Sequence, residues 1–332
     1  MKILVSIRMG ADWGSSFIPK ETEKILESIG EVIWNRTDRN FTKEELKEKV
    51  AGADVCLTGW GHVQFDADVV EVAGQLKLIA HTGGSVAPLV SDCLYDKGIR
   101  VISGNKIFAE SVAEGTIGYI LSSLRDIPYY SYDMKNGGWA TKGYYNEGLL
   151  DQTVGLVGFG MVAKYLVRML NPFRVKIKTY DPYIKDETLI EYGVEKASLE
   201  EIFSTCKIIS IHAPRKPETY HMIDRKLLEM IPNSSLLVNT ARGNIIDEAA
   251  LVELLQERRF KTVLDVYEIE PLPPDSVLRK LDNVILMPHM AGPTVDRRKF
   301  VTIALIDDIK NFFNGRKLEH EISREYAMSM TR

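Results

Sequence analysis

The sequence has few cysteines, little excess charge and no long apolar run, and each shortage excludes a class of protein. Its three cysteines (Cys56, Cys93 and Cys206) lack metal-ligand spacing, so we interpret them as reduced thiols rather than a disulfide framework or a metal site. A formal net charge of -4 gives no reason to expect nucleic acid or an anionic membrane as a partner. No apolar run could span a bilayer, and the apolar N-terminal segment is too short for a signal peptide, so we expect a cytoplasmic protein.

The 332 residues exceed what one ordinary core accommodates, so two domains are expected. Residues 1–104 alternate short β-branched runs with helical periodicity, which predicts one α/β unit with a parallel, doubly wound sheet. No glycine-rich fingerprint occurs in this part. The aromatic, glycine-containing stretch 128–145 favours an exposed arm, which is either a partner surface or a plain loop.

A glycine turn opens the second α/β pattern. Gly158-x-Gly160-x-x-Ala163 joins an apolar, β-branched run to a segment with the periodicity of an amphipathic helix. Because the first N–H groups of a helix are free, such a turn offers an anion site at the helix N-terminus. Gly158 permits the tight turn, Gly160 lets a pyrophosphate approach the backbone, and Ala163 permits close helix–strand packing. The alternative is a turn that serves packing alone.

An acidic residue strengthens the nucleotide interpretation. Asp181 ends the alternating run 176–181 and lies 23 positions after Gly158. Roughly 20 positions are expected for the carboxylate that binds the ribose hydroxyls of a dinucleotide. Since a carboxylate there would repel a 2′-phosphate, we expect NAD rather than NADP.

Three polar residues follow predicted strands of this second domain, where ligands bind in open α/β sheets. They are Arg242, Glu270 and His289. An arginine fork suits a carboxylate, and a histidine beside a glutamate can donate a proton. Together they provide what reduction of a 2-keto acid requires. Taken singly, each could equally be a polar residue in an ordinary turn.

The chain resembles the D-isomer-specific 2-hydroxyacid dehydrogenases over nearly its whole length. Beside the glycine turn with Asp181, the motifs that carry the resemblance are Ser111-Val-Ala-Glu114, His212-Ala-Pro214 with Glu218-Thr219, Asn239-Thr-Ala-Arg-Gly243 with Ile246-Asp247, Asp265-Val-Tyr-Glu-Ile-Glu-Pro271 and Pro288-His-Met-Ala-Gly292.

The resemblance implies roles for these residues. Arg242 would bind the substrate carboxylate, and His289, polarised by Glu270, would protonate the keto oxygen. His212 is expected to be structural. The residues expected around the cofactor NAD are Gly158, Gly160, Met161, Val162, Asp181, Ala213, Pro214, Thr240, Ala241, Arg242, Asp265, His289 and Gly292.

The resemblance also implies the domain map. It predicts two Rossmann-like, doubly wound α/β domains with a cleft between them. Residues 1–104 and 296–332 would form a discontinuous, flavodoxin-like substrate domain, and residues 105–295 the NAD-binding domain. The aromatic stretch would be a homodimer contact of the NAD-binding domain.

The substrate loop departs from the family pattern, since a Gly-x-Gly-x-Asp type of turn is here replaced by His81-Thr-Gly-Gly-Ser-Val86. The N–H groups of Gly84 and Ser85, after Gly83, could still hold a carboxylate. Trp60 is expected in the same pocket, and His62 is either there or a satisfied loop histidine. With the chain ending before any further domain, we expect a small 2-keto acid such as glyoxylate or hydroxypyruvate rather than phosphoglycerate.

Two other functions remain open on the same fold. One is an NAD(H)-binding regulator similar to the family's transcriptional co-repressors, some of which keep the three polar residues. The other is a formate dehydrogenase, which would pair its histidine with a glutamine; Glu270 speaks against it.

Overall fold

The structure, a computed structural model, describes residues 1–331 and divides the chain into two compact units. The first unit comprises Met1–Phe108 and the segment from Pro293 onward, and the second is Ala109–Gly292. Each unit contains one sheet in which all neighbouring strands are parallel. The α/β class with two parallel sheets, which the sequence predicts, is confirmed.

The first unit carries a five-stranded sheet. Its strands are β1 (Lys2–Val5), β2 (Glu31–Trp34), β3 (Val55–Thr58), β4 (Leu78–His81) and β5 (Arg100–Ser103). The helices of this unit are α1 (Asp12–Phe17), α2 (Lys20–Ile29), α3 (Lys43–Val50), α4 (Ala67–Val72) and α5 (Asp92–Asp96). Helix α6 (Asn105–Leu124) begins in this unit, and most of its residues belong to the second. The strand order is β2-β1-β3-β4-β5, the flavodoxin-like arrangement.

The second unit carries a seven-stranded sheet. Its strands are β6 (Thr153–Val157), β7 (Lys176–Tyr180), β8 (Glu195–Lys196), β9 (Ile208–Ile211), β10 (Leu236–Asn239), β11 (Lys261–Leu264) and β12 (Val284–Leu286). The helices are α7 (Ile127–Lys135), α8 (Met161–Leu170), α9 (Asp186–Tyr192), α10 (Leu199–Thr205), α11 (Arg225–Glu229) and α12 (Glu248–Gln256). The order β12-β11-β10-β9-β6-β7-β8 reverses between β6 and β9, where such sheets bind ligands.

Two further helices, α13 (Arg298–Phe313) and α14 (Arg324–Ser329), belong to the first unit. The apolar side chains of Val301, Leu305 and Ile309 on α13 are buried in one core with Ile3 and Leu78 of the first sheet. This is why a helix late in the chain shares a core with the first strand. Among residues 1–331, no helix combines the length and apolarity needed to cross a membrane.

Alternation along the strands explains why both faces of the first sheet are covered. Leu4 and Cys56 are buried in one core, whereas their chain neighbours Ile3 and Leu57 are buried in another. Successive side chains of a strand point to opposite faces, so an uninterrupted apolar strand needs helices on both sides. The buried, continuous runs seen in the sequence are therefore the strands of doubly wound sheets.

The largest differences from the sequence-based expectation concern short elements. Helices α1, α4 and α5 have six residues or fewer and were not predicted, because they are too short to show helical periodicity. The alternating, β-branched run 2–8 predicts a first strand, of which β1 covers only Lys2–Val5. The aromatic stretch begins as helix α7, and its side chains are exposed as expected, with Trp139 75% and Tyr144 77% accessible.

Burial of His81 leads to a prediction about acid stability. The ring is 4% exposed and its Nδ1 lies 2.9 Å from the Thr58 hydroxyl. Burial lowers the pKa of His81 from 6.5 to about 3, with a smaller effect of His62. The folded protein thus binds fewer protons than the unfolded chain, so this contribution to stability is complete above the unfolded pKa and is lost as the pH falls toward the folded one.

We therefore expect the free energy of unfolding to fall by about 1.4 kcal/mol per pH unit for this one histidine below its unfolded pKa. The variant His81→Gln lacks this ionisable group, so its free energy of unfolding should fall less steeply with decreasing pH, by about 1.4 kcal/mol per pH unit. Urea unfolding at about pH 7 and about pH 5 measures it. If the free energy of unfolding changed equally with pH in the wild type and the variant, His81 would not control the acid sensitivity.

Candidate active site

The glycine turn stands between β6 and α8 with a geometry that a side chain would prevent. Gly158 has a φ of +94°, and a Cβ atom there would lie 2.8 Å from the backbone nitrogen of Ala213. Gly160 is the N-cap residue of α8, which has no side-chain cap, and a Cβ there would meet no atom within 4 Å. The turn therefore leaves open space beside Gly160 at the N-terminus of α8, as a phosphate group requires.

Asp181 lies directly beside this turn. One carboxylate oxygen accepts a hydrogen bond from the N–H of Phe159 at 2.8 Å, and the other from the N–H of Tyr183 at 2.9 Å. The two backbone donors orient the carboxylate, and each oxygen keeps lone pairs for ribose hydroxyls. The structure thus brings the predicted acid and the predicted turn together.

The segment after β9 runs past the same turn. The ring Nε2 of His212 lies 2.9 Å from the Ser210 hydroxyl, and burial lowers the pKa of His212 to about 4. The ring is therefore neutral and held, which supports a structural role. Ala213, whose backbone contacts Gly158, and Pro214 follow it.

His289 and Glu270 form a hydrogen-bonded pair. The ring Nδ1 lies 2.7 Å from one Glu270 oxygen, and the other oxygen accepts from the N–H of Tyr267 at 3.0 Å. His289 has a φ of 53° and its side chain is 48% exposed. Because Nδ1 is held by the carboxylate, Nε2 is the ring nitrogen that can exchange a proton with a bound molecule.

Asp265 holds the backbone that follows His289. The Asp265 side chain is 1% exposed and accepts from the N–H groups of Met290 at 2.8 Å and Ala291 at 3.0 Å. Burial raises the pKa of Asp265, while these two N–H groups favour its charged form. Asp265 is thus a positioning residue for the loop that carries His289, whereas the resemblance implies only that it lies near the cofactor.

Tyr119 of α6 also contacts Asp265, and sequence reasoning missed it. The Tyr119 hydroxyl donates to the Asp265 carboxylate at 3.3 Å. Burial and the neighbouring Asp265 raise the pKa of Tyr119. One turn earlier, the hydroxyl of Thr116 lies 3.1 Å from that of Thr240. Both residues are polar and lie on a mainly apolar helix, and this pattern is the feature of the sequence that could have predicted these contacts.

Arg242 emerges from a turn shaped by the last residue of β10. The Asn239 side chain donates to the Arg242 carbonyl at 2.9 Å and accepts from the Ala241 N–H at 3.0 Å. Burial lowers the pKa of Arg242, Arg215 lowers it further, and Glu270 opposes both. The guanidinium is thus a partly desolvated cation, which raises its attraction for an anion.

One cavity of about 230 Å³ brings the three candidate catalytic residues together. It is lined by Arg215, Arg242, Gly243, Asn244, Tyr267, Glu268, Glu270 and His289. A larger cavity of about 590 Å³ also reaches the His289–Glu270 pair, but its other walls are mostly apolar, including Leu272 and Leu286. The smaller, polar cavity is the one that contains both Arg242 and His289, so these two side chains can contact one ligand there.

The predicted substrate loop lies in the first unit, after β4. A Cβ atom on Gly83 would lie 2.7 Å from the indole Nε1 of Trp60, so this ring borders the loop. Trp60 is 49% exposed. The Gly84 carbonyl accepts from Ser103 at 3.1 Å, and the Ser85 hydroxyl donates to the Thr331 carbonyl at 2.6 Å. The loop is therefore tied down, and the Ser85 side chain is already engaged.

His62 is half-buried and precedes the buried Phe65 in the first unit. Its Nδ1 lies 2.6 Å from the Val63 carbonyl, its ring stacks on Phe65, and its Nε2 is buried with no hydrogen-bond partner among residues 1–331. Burial lowers the pKa of His62 to about 4. The ring is neutral, and Nε2 remains an unused acceptor.

The chain is similar to known proteins over most of its length. Residues 117–291 match the model of the D-isomer specific 2-hydroxyacid dehydrogenase, NAD binding domain. The chain is 35% identical over 302 residues to D-3-phosphoglycerate dehydrogenase of Methanocaldococcus jannaschii, covering 90% of this chain and 57% of that protein. It is 33% identical over 296 residues to hydroxypyruvate reductase of Thermotoga maritima, covering 88% of this chain and 94% of the relative.

A similar fold is seen in a Thermus thermophilus crystal structure, the TT0316 protein. It matches with a TM-score of 0.80 at 25% identity, covering 97% of this chain and 100% of the other. The phosphoglycerate dehydrogenase is longer than the match, so the chain spans little more than half of that relative.

Proposed function

The chain belongs to the D-isomer-specific 2-hydroxyacid dehydrogenase family, and on this premise we propose that it interconverts a small 2-keto acid and its D-2-hydroxy acid with NAD. The observation that carries the proposal is the single cavity lined by Arg242, Glu270 and His289. It combines a carboxylate-binding fork with a proton donor held by a carboxylate.

The residues around the glycine turn fit the cofactor. The open space at Gly160 would receive the pyrophosphate against the N–H groups of Met161 and Val162, and Asp181 would hold the adenosine ribose. Thr240, Ala241, Asp265 and Gly292 would lie toward the nicotinamide. When bound, NADH supplies the hydride that is added to C2 of the keto acid and leaves as NAD⁺.

The side chains of this protein would bind the substrate carboxylate and transfer the proton in that reaction. Arg242 would hold the carboxylate and polarise the keto oxygen. Protonated His289 would transfer its Nε2 proton to that oxygen, while Glu270 stabilises the imidazolium through Nδ1. The product is the neutral hydroxyl group, and His289 is left neutral. In the oxidative direction the neutral ring would accept the proton.

The rest of the substrate contact is proposed for the first unit. The N–H groups of the Gly83–Ser85 loop would bind the carboxylate, beside the exposed ring of Trp60. Glu270 argues against a formate dehydrogenase, in which a glutamine is expected at this position. The co-repressor alternative is not favoured, because the similar proteins are dehydrogenases and reductases. Hydroxypyruvate and glyoxylate are the substrates we propose to test first.

We also propose a homodimer formed through the NAD-binding unit, in the cytoplasm. The support is the exposed aromatic surface of Tyr132, Trp139, Tyr144 and Tyr145, since aromatic side chains are enriched in protein interfaces.

The proposed activity is tested by following NADH absorbance with purified protein and a panel of 2-keto acids. Consumption of NADH that depends on the keto acid supports the proposal. Tight NADH binding without turnover of any keto acid would favour the regulatory alternative.

The choice of cofactor is tested at Asp181. We expect Asp181→Asn to reduce the preference for NADH over NADPH by about tenfold or more, because it removes the charge that repels a 2′-phosphate. The ratio of kcat/KM with the two cofactors is the measurement. Asp186→Asn, which changes another acid of the same unit on helix α9, is the matched control. An unchanged ratio in Asp181→Asn would place the discriminating charge elsewhere.

A further inference from the structure

The segment 320–331 returns to the first sheet and follows its edge strand β5 before helix α14 begins. The N–H of Ser103 donates to the His320 carbonyl at 3.0 Å, and the N–H of Ile322 donates to the Val101 carbonyl at 2.8 Å. The side chain of Ile322 is buried in a core of this unit. These contacts fix the place from which α14 starts.

Helix α14 and the residue after it share a core with the residues that follow the predicted substrate loop. Ala327 and Met330 are buried in one hydrophobic cluster with Val86 and Leu89, which come directly after the loop Gly83–Ser85. The backbone beyond the loop is thus supported by side chains from the far end of the unit.

Hydrogen bonds connect the same segment to the loop itself. The Ser85 hydroxyl donates to the Thr331 carbonyl at 2.6 Å. The side-chain amide of Asn105 donates to the Tyr326 hydroxyl at 2.8 Å, and its Oδ1 would lie 3.8 Å from a Cβ atom on Gly84. Asn105 is therefore held between Tyr326 and Gly84.

Gly84 and Ser85 carry the N–H groups proposed to bind the substrate carboxylate. Within residues 1–331 neither of these two N–H groups donates a hydrogen bond, whereas the Gly84 carbonyl and the Ser85 hydroxyl are both engaged. The donors are available to a ligand while the rest of each residue is tied down. A loop held in its binding conformation loses less conformational entropy on binding, which raises its affinity.

We propose that Tyr326 and Met330 are positioning residues for the substrate loop, so that the N–H groups of Gly84 and Ser85 keep the orientation that binds the carboxylate of the keto acid. This inference rests on the proposed substrate contact of that loop and specifies what holds it in place. Tyr326 acts through Asn105, and Met330 acts through the core that it shares with the residues after the loop.

The variant Tyr326→Phe removes the hydroxyl and keeps the ring. We expect KM for the keto acid to rise by about 3- to 10-fold, the effect of one lost hydrogen bond, while kcat and KM for NADH stay within about twofold. A merely structural role would lower the amount of active protein, and therefore the maximal rate, at an unchanged KM. Steady-state kinetics with each substrate varied in turn is the measurement.

Tyr95→Phe is the matched control. The Tyr95 hydroxyl donates to the Ile322 carbonyl at 3.4 Å, so it contacts the segment 320–331 ahead of α14 and not at Asn105. Both KM values of this variant should stay within about twofold of the wild type. If Tyr326→Phe left KM for the keto acid unchanged, or changed it no more than Tyr95→Phe does, the role of Tyr326 would be overturned.

Met330→Ala and Met330→Leu test the apolar contact. Alanine leaves a cavity in the core, so it should raise KM for the keto acid by at least about threefold and lower the unfolding temperature. Leucine has nearly the same volume and should restore both. A lower unfolding temperature with an unchanged KM in Met330→Ala would make Met330 a core residue only and overturn its assignment.

Hydrogen–deuterium exchange separates failure of this inference from failure of the proposed function. If no keto acid is turned over, exchange is measured in wild type, Tyr326→Phe and Tyr95→Phe at the amides of Leu89 and Val90, which donate to the Val86 carbonyl at 2.8 and 3.1 Å. Faster exchange confined to Tyr326→Phe would support the positioning role and contradict the dehydrogenase activity. Equal exchange in all three proteins would overturn the positioning role as well.

Discussion

The variant His289→Asn is expected to lower kcat by about 10²- to 10⁴-fold, the usual contribution of a positioned general acid. The asparagine side chain has no proton to give to the keto oxygen, so the developing negative charge on that oxygen stays uncompensated. Asparagine is chosen because His289 has a φ of 53°, a conformation that asparagine tolerates better than alanine. Affinity for NADH, measured by fluorescence titration, should remain within about twofold of the wild type.

His221→Asn is the matched control for this variant. His221 also has a positive φ, of 49°, and also pairs with a glutamate, Glu268, at 2.5 Å. Its replacement should leave kcat near the wild-type value. If His289→Asn turned over at a near-native rate, the proton would have to come from another group, and the role assigned to His289 would be wrong.

The variant Arg242→Leu should lower kcat/KM by about 10²- to 10³-fold, since a partly buried charge pair with the substrate carboxylate is lost. The effect should be greatest in KM for the keto acid. Folding should not suffer, because burial already disfavours the charged form of Arg242, so leucine removes a desolvated charge. Thermal unfolding compared with the wild type measures this.

Arg242→Lys separates charge from geometry. Lysine keeps a positive charge but not the planar fork that engages two carboxylate oxygens, so its kcat/KM should lie between those of wild type and Arg242→Leu. A loss smaller than about tenfold in Arg242→Leu would show that the substrate carboxylate is held mainly by other groups.

The fold was largely predictable because its strands are buried on both faces. Mainly apolar runs such as 208–211 and 236–239 can be recognised without knowing their neighbours. The order of the strands was not deducible from those runs, since pairing such as β6 with β9 joins segments far apart in the chain. Helices α4 and α5 carry too few turns to show a periodicity.

The site was predictable where the type of residue at the end of a strand indicates its chemical role. Gly158, Asp181 and the His289–Glu270 pair are of this kind, and the structure brings each to its expected neighbours. Contacts made by the side of a helix were not predictable. Tyr119 meets Asp265 only because α6 passes the end of β11, a contact between residues 146 positions apart.

Arg215 illustrates the same limit. In the sequence it is one basic residue after His212-Ala-Pro214, with nothing to distinguish it from a surface charge. It lines one cavity with Arg242 because the parallel strands β9 and β10 end at the same edge of the sheet.

The central claim is hydride transfer to C2 of a 2-keto acid, and one measurement tests it most directly. The protein is incubated with hydroxypyruvate or another turned-over keto acid and NADH deuterated at the transferable position of the nicotinamide, and the product is analysed by mass spectrometry and chiral chromatography. The account predicts a D-2-hydroxy acid that carries one deuterium at C2. A product without deuterium, a product of the L configuration, or unreacted deuterated NADH would contradict it.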